Sequence, residues 1–159
     1  MLRSLLLFIL LVAPFGATAA PAQDDVAAAM VFRLTKFVEW PEGAFLEPSS
    51  KFRICFDQPS PIFDKLSAAK LKRWQGREVG VTDEITDQCH VAVISPNGKA
   101  IQEPMMLTIG SDQSFLDDGG HVKLEFKSGR VIFSVNRTKA TEAGLIFSSD
   151  LLSLAREVK

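Results

Sequence analysis

The 159-residue chain has no tyrosine, two histidines, two cysteines and almost no net charge, with 18 basic against 19 acidic side chains. Each shortage excludes something. A formal charge of −1 lacks the surplus of Lys and Arg that sequence-independent nucleic-acid binding needs to displace counterions from phosphates. Low charge combined with 47% hydrophobic residues excludes wholesale disorder, because burial can offset the ordering entropy. After the N-terminal segment no apolar run is long enough to span a bilayer. Neither a repeat nor a linker interrupts the chain, so it reads as one domain able to bury its own core.

The N-terminus carries a targeting pattern. A basic start at Arg3 precedes an apolar run over residues 5–12, then Pro14, Gly16 and the small residues Ala17-Thr18-Ala19-Ala20. The apolar run falls short of the roughly 20 residues of a spanning helix, and the small residues suit signal peptidase. The expectation is a secretory signal peptide over residues 1–19 and a mature domain over residues 20–159, with an uncleaved anchor as the alternative. No Cys lies just beyond the expected cleavage point, which argues against a lipid anchor. Losing Arg3 leaves the mature domain with two more acidic than basic side chains.

Export changes the reading of Cys55 and Cys89. In an oxidising compartment two cysteines are most simply one disulfide. A bridge closing about 35 residues stabilises by roughly 3–4 kcal/mol in the chain-entropy model. Two inert buried thiols and a redox-sensing pair are the other readings. A metal site is disfavoured, since two Cys without a nearby His pair cannot fill a tetrahedral shell.

The mature chain alternates helical and extended patterns. Over residues 24–40 the apolar Ala27, Met30, Val31, Leu34, Phe37 and Val38 recur at helical spacing, Asp24 and Asp25 suit the helix start, and Pro41 marks its end. Residues 52–56 read as a buried strand, and Ser60-Pro61 as the cap and first turn of a helix carrying Ile62, Phe63, Leu66 and Ala69. Short strands follow at 78–82, 90–95 and 105–109. The second of these is a continuous apolar run suited to a central strand. Residues 111–116 could form one helical turn before Asp117-Asp118-Gly119-Gly120, which is expected to reverse the chain. Val122, Leu124 and Phe126 alternate with charged residues, and Ser128-Gly129 joins that strand to 131–135 as a hairpin. A last helix is expected from Ser148-Ser149-Asp150, with Leu151, Leu154, Ala155 and Val158 on one stripe. The sum is a single α/β domain with a mixed β-sheet, helices packed on both faces, and amphipathic helices at the N- and C-terminal ends.

Catalytic patterns are weak. His90 heads an apolar strand and reads as packed or at an edge, while His121 after the Gly-Gly turn is expected to be solvent-exposed. No Gly-x-Ser-x-Gly motif is present, and Gly110-Ser111-Asp112 reads as a helix cap. Asp117-Asp118 sits where a turn favours Asp, and with Asp112 it does not have the spacing of a calcium loop. Gly76 and Gly80 lack the spacing of a phosphate-binding loop. Arg73, Trp74 and Arg77 could bind an anion, though a solvated loop is the simpler reading. No catalytic residue, cofactor or metal is expected, and so no enzyme.

A set of ordered segments carries a resemblance. Residues 28–41, including the run KFVEWP that ends in Phe37, Trp40 and Pro41, resemble the opening helix of the YfiR family of bacterial periplasmic proteins. Further matches are Phe52-Arg53-Ile54-Cys55, the run from Cys89 to Ile94, and Phe115 before Gly119-Gly120. The strongest is C-terminal: Phe133-Ser134-Val135-Asn136, Ala140, Ala143-Gly144-Leu145, Ser148 and Leu151-Leu152-Ser153-Leu154-Ala155. These family positions, chiefly Phe37, Trp40, Pro41, Gly119, Gly120, Asn136, Gly144, Leu151, Leu152 and Ala155, also suit packing roles. Gly119-Gly120 permits positive φ in a tight turn, and Ala155 lets the last helix approach a neighbour.

The resemblance implies a periplasmic regulator. The family's best-known member binds the periplasmic sensing domain of an inner-membrane diguanylate cyclase and holds it inactive, so that release raises cyclic di-GMP. It also makes a homodimer plausible, while the sequence itself leaves the oligomeric state open. Typical members have a second Cys pair around the Gly-Gly segment, where this chain has Asp117, Asp118, His121 and Val122, so the carry-over covers Cys55 and Cys89 alone. The alternative is a periplasmic small-ligand-binding or sensing module acting on another membrane receptor or kinase.

Overall fold

The computed structural model describes residues 23–69 and 73–159. The expected signal peptide, residues 1–19, lies outside the described residues. Helix α1 spans Gln23–Leu34 and buries Ala27, Ala28, Val31 and Leu34, with Asp24 and Asp25 in its first turn. It stops six residues before the position expected from Pro41. A 3-10 turn, Thr35–Phe37, leads into strand β1, Val38–Glu39. β1 pairs antiparallel with β8, Ile146–Phe147, Val38 opposite Phe147. That pairing satisfies the backbone as well as a further helical turn would, while burying Val38 almost completely.

Strand β2 is Phe52–Phe56. Helix α2, Pro61–Ala68, begins as its sequence dictates: Ser60 Oγ accepts the Phe63 N–H at 3.1 Å and Pro61 occupies the first turn. Strands β3 (Val79–Thr82), β4 (Val91–Val93), β5 (Leu107–Gly110), β6 (Val122–Lys127) and β7 (Arg130–Val135) complete a six-stranded sheet in the order β3-β2-β4-β5-β6-β7. All neighbours are parallel except β6 and β7. β3 and β4 lie on either side of β2, so the strand order reverses there. The β6–β7 hairpin turns through Ser128 and Gly129, both with positive φ (51° and 73°), the geometry of a two-residue turn that matches strand twist.

Two expectations about the segment 111–121 are corrected. Ser111 to Leu116 makes turns rather than a helix, held by Phe115 N–H to Asp112 O and Gly120 N–H to Phe115 O. β6 then enters parallel to β5, Ile109 opposite Val122, so the segment is a compact return loop and not a hairpin reversal. Within β6, Val122 and Leu124 are buried as expected, but Phe126, near the hairpin end, is exposed.

Helix α3 (Arg137–Glu142) ends in Gly144, φ +81°. There Leu145 N–H donates to Ala140 O and Gly144 N–H to Thr141 O, the paired bonds of a Schellman stop. Helix α4, Ser149–Leu154, is capped by Ser148 and is shorter than the apolar stripe suggested. Leu154 is 69% exposed and the tail after Ala155 is extended. It runs along the outer edge of β7, where Arg156 N–H donates to Phe133 O, Val135 N–H to Glu157 O, and Lys159 N–H to Val135 O. An edge that would otherwise be open is thereby closed.

The larger core cluster joins α1, α2, α3 and α4 to one face of the sheet through residues such as Val31, Leu66, Ala140 and Leu151, so the described helices cover one face and not both as expected. The smaller cluster, on Cys55 and Ala92, takes its cover from loop residues Cys89, Met106, Phe115 and Leu116.

Candidate functional site

Two concavities lie at opposite ends of the parallel strands. At the amino ends of β2 and β4 is an opening of about 400 Å³ lined by both charged and apolar side chains, including Arg53, His90, Leu46 and Met105. Leu46 is 92% exposed at the tip of the loop after β1, and Met105, held at φ +61°, is 37% exposed opposite it. A left-handed backbone at a bulky residue is costly and persists only where the surroundings fix it. Here Met105 N–H donates to Ala143 O at 2.8 Å.

Cys89, one half of the disulfide, lines this opening, while Cys55 lies buried behind it. Cys55 and Cys89 are bridged with Cα atoms 5.9 Å apart, Cys55 inside β2 and Cys89 just ahead of β4. Beside it, His90 is packed, as its apolar strand suggested. Its Nδ1 accepts the Arg53 N–H at 3.1 Å, which makes Nε2 the protonated nitrogen, donating to Ala44 O at 3.0 Å. Burial pushes the His90 pKa down, with the Ala44 carbonyl acting weakly the other way.

An aromatic stack supports the floor. His90 stacks on Phe45 at 4.5 Å, Phe45 on Trp74 at 5.6 Å, and Trp74 on Phe52 at 4.2 Å. Arg77 covers Phe45 at 4.1 Å and donates to the carbonyls of Glu47, Pro48 and Ser50. The segment carrying Trp74 and Arg77 is therefore a core anchor that pins the Leu46 loop. Trp74 thus departs from the solvated loop that the sequence suggested, whereas Arg73, Gln75 and Gly76 beside it are exposed as that reading has them.

The second concavity, about 230 Å³, lies at the carboxyl ends of β2, β4 and β5, between the sheet and helices α1 and α2. The surface it exposes is almost wholly apolar, although Asp57, Gln58, Ser60, Ser95 and Ser111 stand among its lining residues. Among the described residues no group of three His, Cys, Asp or Glu is arranged to hold a metal ion, and no helix is long and apolar enough to cross a membrane.

The segments that carry the resemblance all fall within this one packed unit, and the family described as YfiR/HmsC-like (DUF4154) matches residues 24–156. The chain belongs to the YfiR/HmsC-like family. No curated protein matches it.

Several family positions meet in space. Gly144 packs against Pro41: a Cβ on it would lie 3.3 Å from Pro41 Cγ. Trp40 meets Phe52 and Trp74 edge-on at 5.4 and 5.3 Å. The Phe37 carbonyl accepts the Ser148 N–H, tying the end of α1's turn to the start of α4. Asn136 caps α3 by accepting the Lys139 N–H, and its Nδ2 donates to Leu116 O beside the Gly119-Gly120 turn. Leu151 is buried, Leu152 and Ala155 partly so. Gly119 has positive φ, +97°, as expected, whereas Gly120 serves space and not φ, since its α-carbon lies against the Phe115 ring.

His121 is corrected outright: it is 2% exposed, not in solvent. Its Nδ1 accepts the Thr108 N–H at 3.1 Å while its own N–H donates to Thr108 Oγ1. Burial brings its pKa down to about 4, against smaller raising effects of the Lys139 carbonyl and the Glu142 carboxylate. Leu46 and Met105 had no site motif to announce them, and Arg53 stood in a matched segment without a role assigned to it. A bulky residue in left-handed backbone is visible only in three dimensions.

Proposed function

We propose that this YfiR/HmsC-like protein is an exported, non-catalytic repressor that binds the periplasmic sensing domain of an inner-membrane diguanylate cyclase and holds it inactive. The observation that carries the reading is the family match across residues 24–156. The Cys55–Cys89 bridge is in keeping with an oxidising compartment. The opening around Leu46 and Met105 brings apolar side chains together with the charged Lys51, Arg53 and Asp87, the mixture that a protein-binding patch uses. Leu46 is the natural anchor, since an apolar side chain left this exposed gains most by entering a partner's pocket.

Deleting the gene should raise cyclic di-GMP, and restoring the exported protein should lower it. Restoring a Leu46→Asp variant should leave cyclic di-GMP high although the variant accumulates in the periplasm. Unchanged cyclic di-GMP on both deletion and restoration would reject the cyclase reading. A wild-type response to Leu46→Asp would move the contact elsewhere. Light scattering of the purified protein tests the homodimer that the family resemblance implies.

A further inference from the structure

We propose that the apolar crevice at the carboxyl ends of β2, β4 and β5 is a binding site for a small, largely apolar molecule with a single cationic or hydrogen-bond-donating head. The inference stands on the crevice alone and does not depend on the cyclase.

Position is the first argument. In open α/β sheets ligands settle outside the carboxyl ends of the strands where strand order reverses. Here that place is between β2 and β4, because β3 lies on one side of β2 and β4 on the other. The crevice occupies it, with Phe56, Val93 and Ile109 from the strand ends as its floor and Ala27 and Val31 of α1 as its far wall. Its volume of about 230 Å³ is below the roughly 300 Å³ at which drug-sized pockets begin, so the fitting ligand is small.

Charge is the second. Among the described residues that line the crevice, Asp57 alone is charged. Its carboxylate is fixed in place: Oδ1 accepts the Ser95 N–H at 2.9 Å and Oδ2 the Ser95 hydroxyl at 2.8 Å. Gly98 closes against it, since a Cβ there would lie 2.7 Å from Asp57 Oδ2. A carboxylate oriented by two donors and backed by the chain is a preset acceptor, and each oxygen keeps a free lone pair for a ligand. An ammonium or hydroxyl head therefore fits the rim, and a carboxylate head is repelled.

The test uses three probes of one chain length, hexylamine, hexanol and hexanoate, titrated into the disulfide-bonded mature protein. Methyl resonances of Val93, Ile109 and Leu124 report binding. Saturable shifts are expected in the order amine, alcohol, acid, the amine about tenfold tighter than the acid. Asp57→Asn should erase that order while apolar binding remains. Ser111→Trp, a change at an exposed rim position, should abolish the shifts with the fold intact. Absence of saturable shifts, an order unchanged in Asp57→Asn, or undiminished binding in Ser111→Trp would each overturn the proposal.

Discussion

The ring of Phe115 fills the space that a side chain on Gly120 would need. A Cβ built there falls well inside van der Waals contact with one edge of the ring, and a Cβ on Gly110 meets the opposite edge at 2.5 Å. Phe115 is thus held between two glycines, one at the end of β5 and one just before β6. This is how an eleven-residue loop returns the chain into a parallel strand without a helix. Gly120→Ala should lower stability by about 1–3 kcal/mol, the usual cost of overpacking a full core. In a Phe115→Leu background the same substitution should cost clearly less, measured as a double-mutant cycle by urea unfolding. Strict additivity of the two changes would show that ring contact is not the cause.

Asn136 has two jobs at the edge of that loop. Its Oδ1 accepts the Lys139 N–H and its Nδ2 donates to Leu116 O, both at 3.0 Å. Asn136→Ala loses both bonds and should cost about 2 kcal/mol, the sum of a cap and a buried hydrogen bond. Asn136→Ser keeps a capping oxygen but cannot reach Leu116, and should cost about half as much. Equal losses in the two variants would sink this division of labour.

His121 predicts the acid limb of stability. Its folded pKa of about 4 is below the ordinary 6.5, so between those values the unfolded chain binds the extra proton. Its contribution is complete above pH 6.5 and is lost as pH falls toward 4, to a total of about 3 kcal/mol at 1.36 kcal/mol per pH unit. The depressed pKa of His90 acts with the same sign. His121→Asn retains an acceptor for the Thr108 N–H but cannot titrate. Its unfolding free energy should therefore fall less steeply than the wild type's over this window. Parallel pH profiles for the two proteins would show that His121 is not the titrating group.

What the sequence disclosed was what neighbours in the chain decide. Ser60-Pro61 starts α2, Ser128-Gly129 turns the hairpin, and the unbroken apolar run ahead of Ser95 is the fully buried β4. Distant partners decided the rest. Val38 leaves the helical pattern because Phe147, more than a hundred residues later, offers a strand to pair with. The tail beyond Ala155 leaves it because β7 has an open edge. His121 is buried because Thr108 supplies an N–H that a sequence cannot aim. The crevice beside Asp57 was illegible for the same reason, since its walls come from four strands and two helices.

The cysteine pair offers the last prediction. Cys55 and Cys89 are both buried in the smaller core cluster, 34 residues apart, and the closed loop contains α2 and β3. A bridge over this span restricts the unfolded chain, so the Cys55→Ala/Cys89→Ala double variant should lose about 3–4 kcal/mol. It should also unfold with a larger dependence on urea, because the freed chain exposes more surface. Mass measurement of the exported protein before and after reduction should differ by two hydrogens. If the reduced protein unfolds at the same urea concentration as the oxidised one, the bridge is not a staple. A change in repression on reduction, with stability unmoved, would then assign it a switching role, and the place of Cys89 in the lining of the Leu46 opening supplies the route from sulfur to partner.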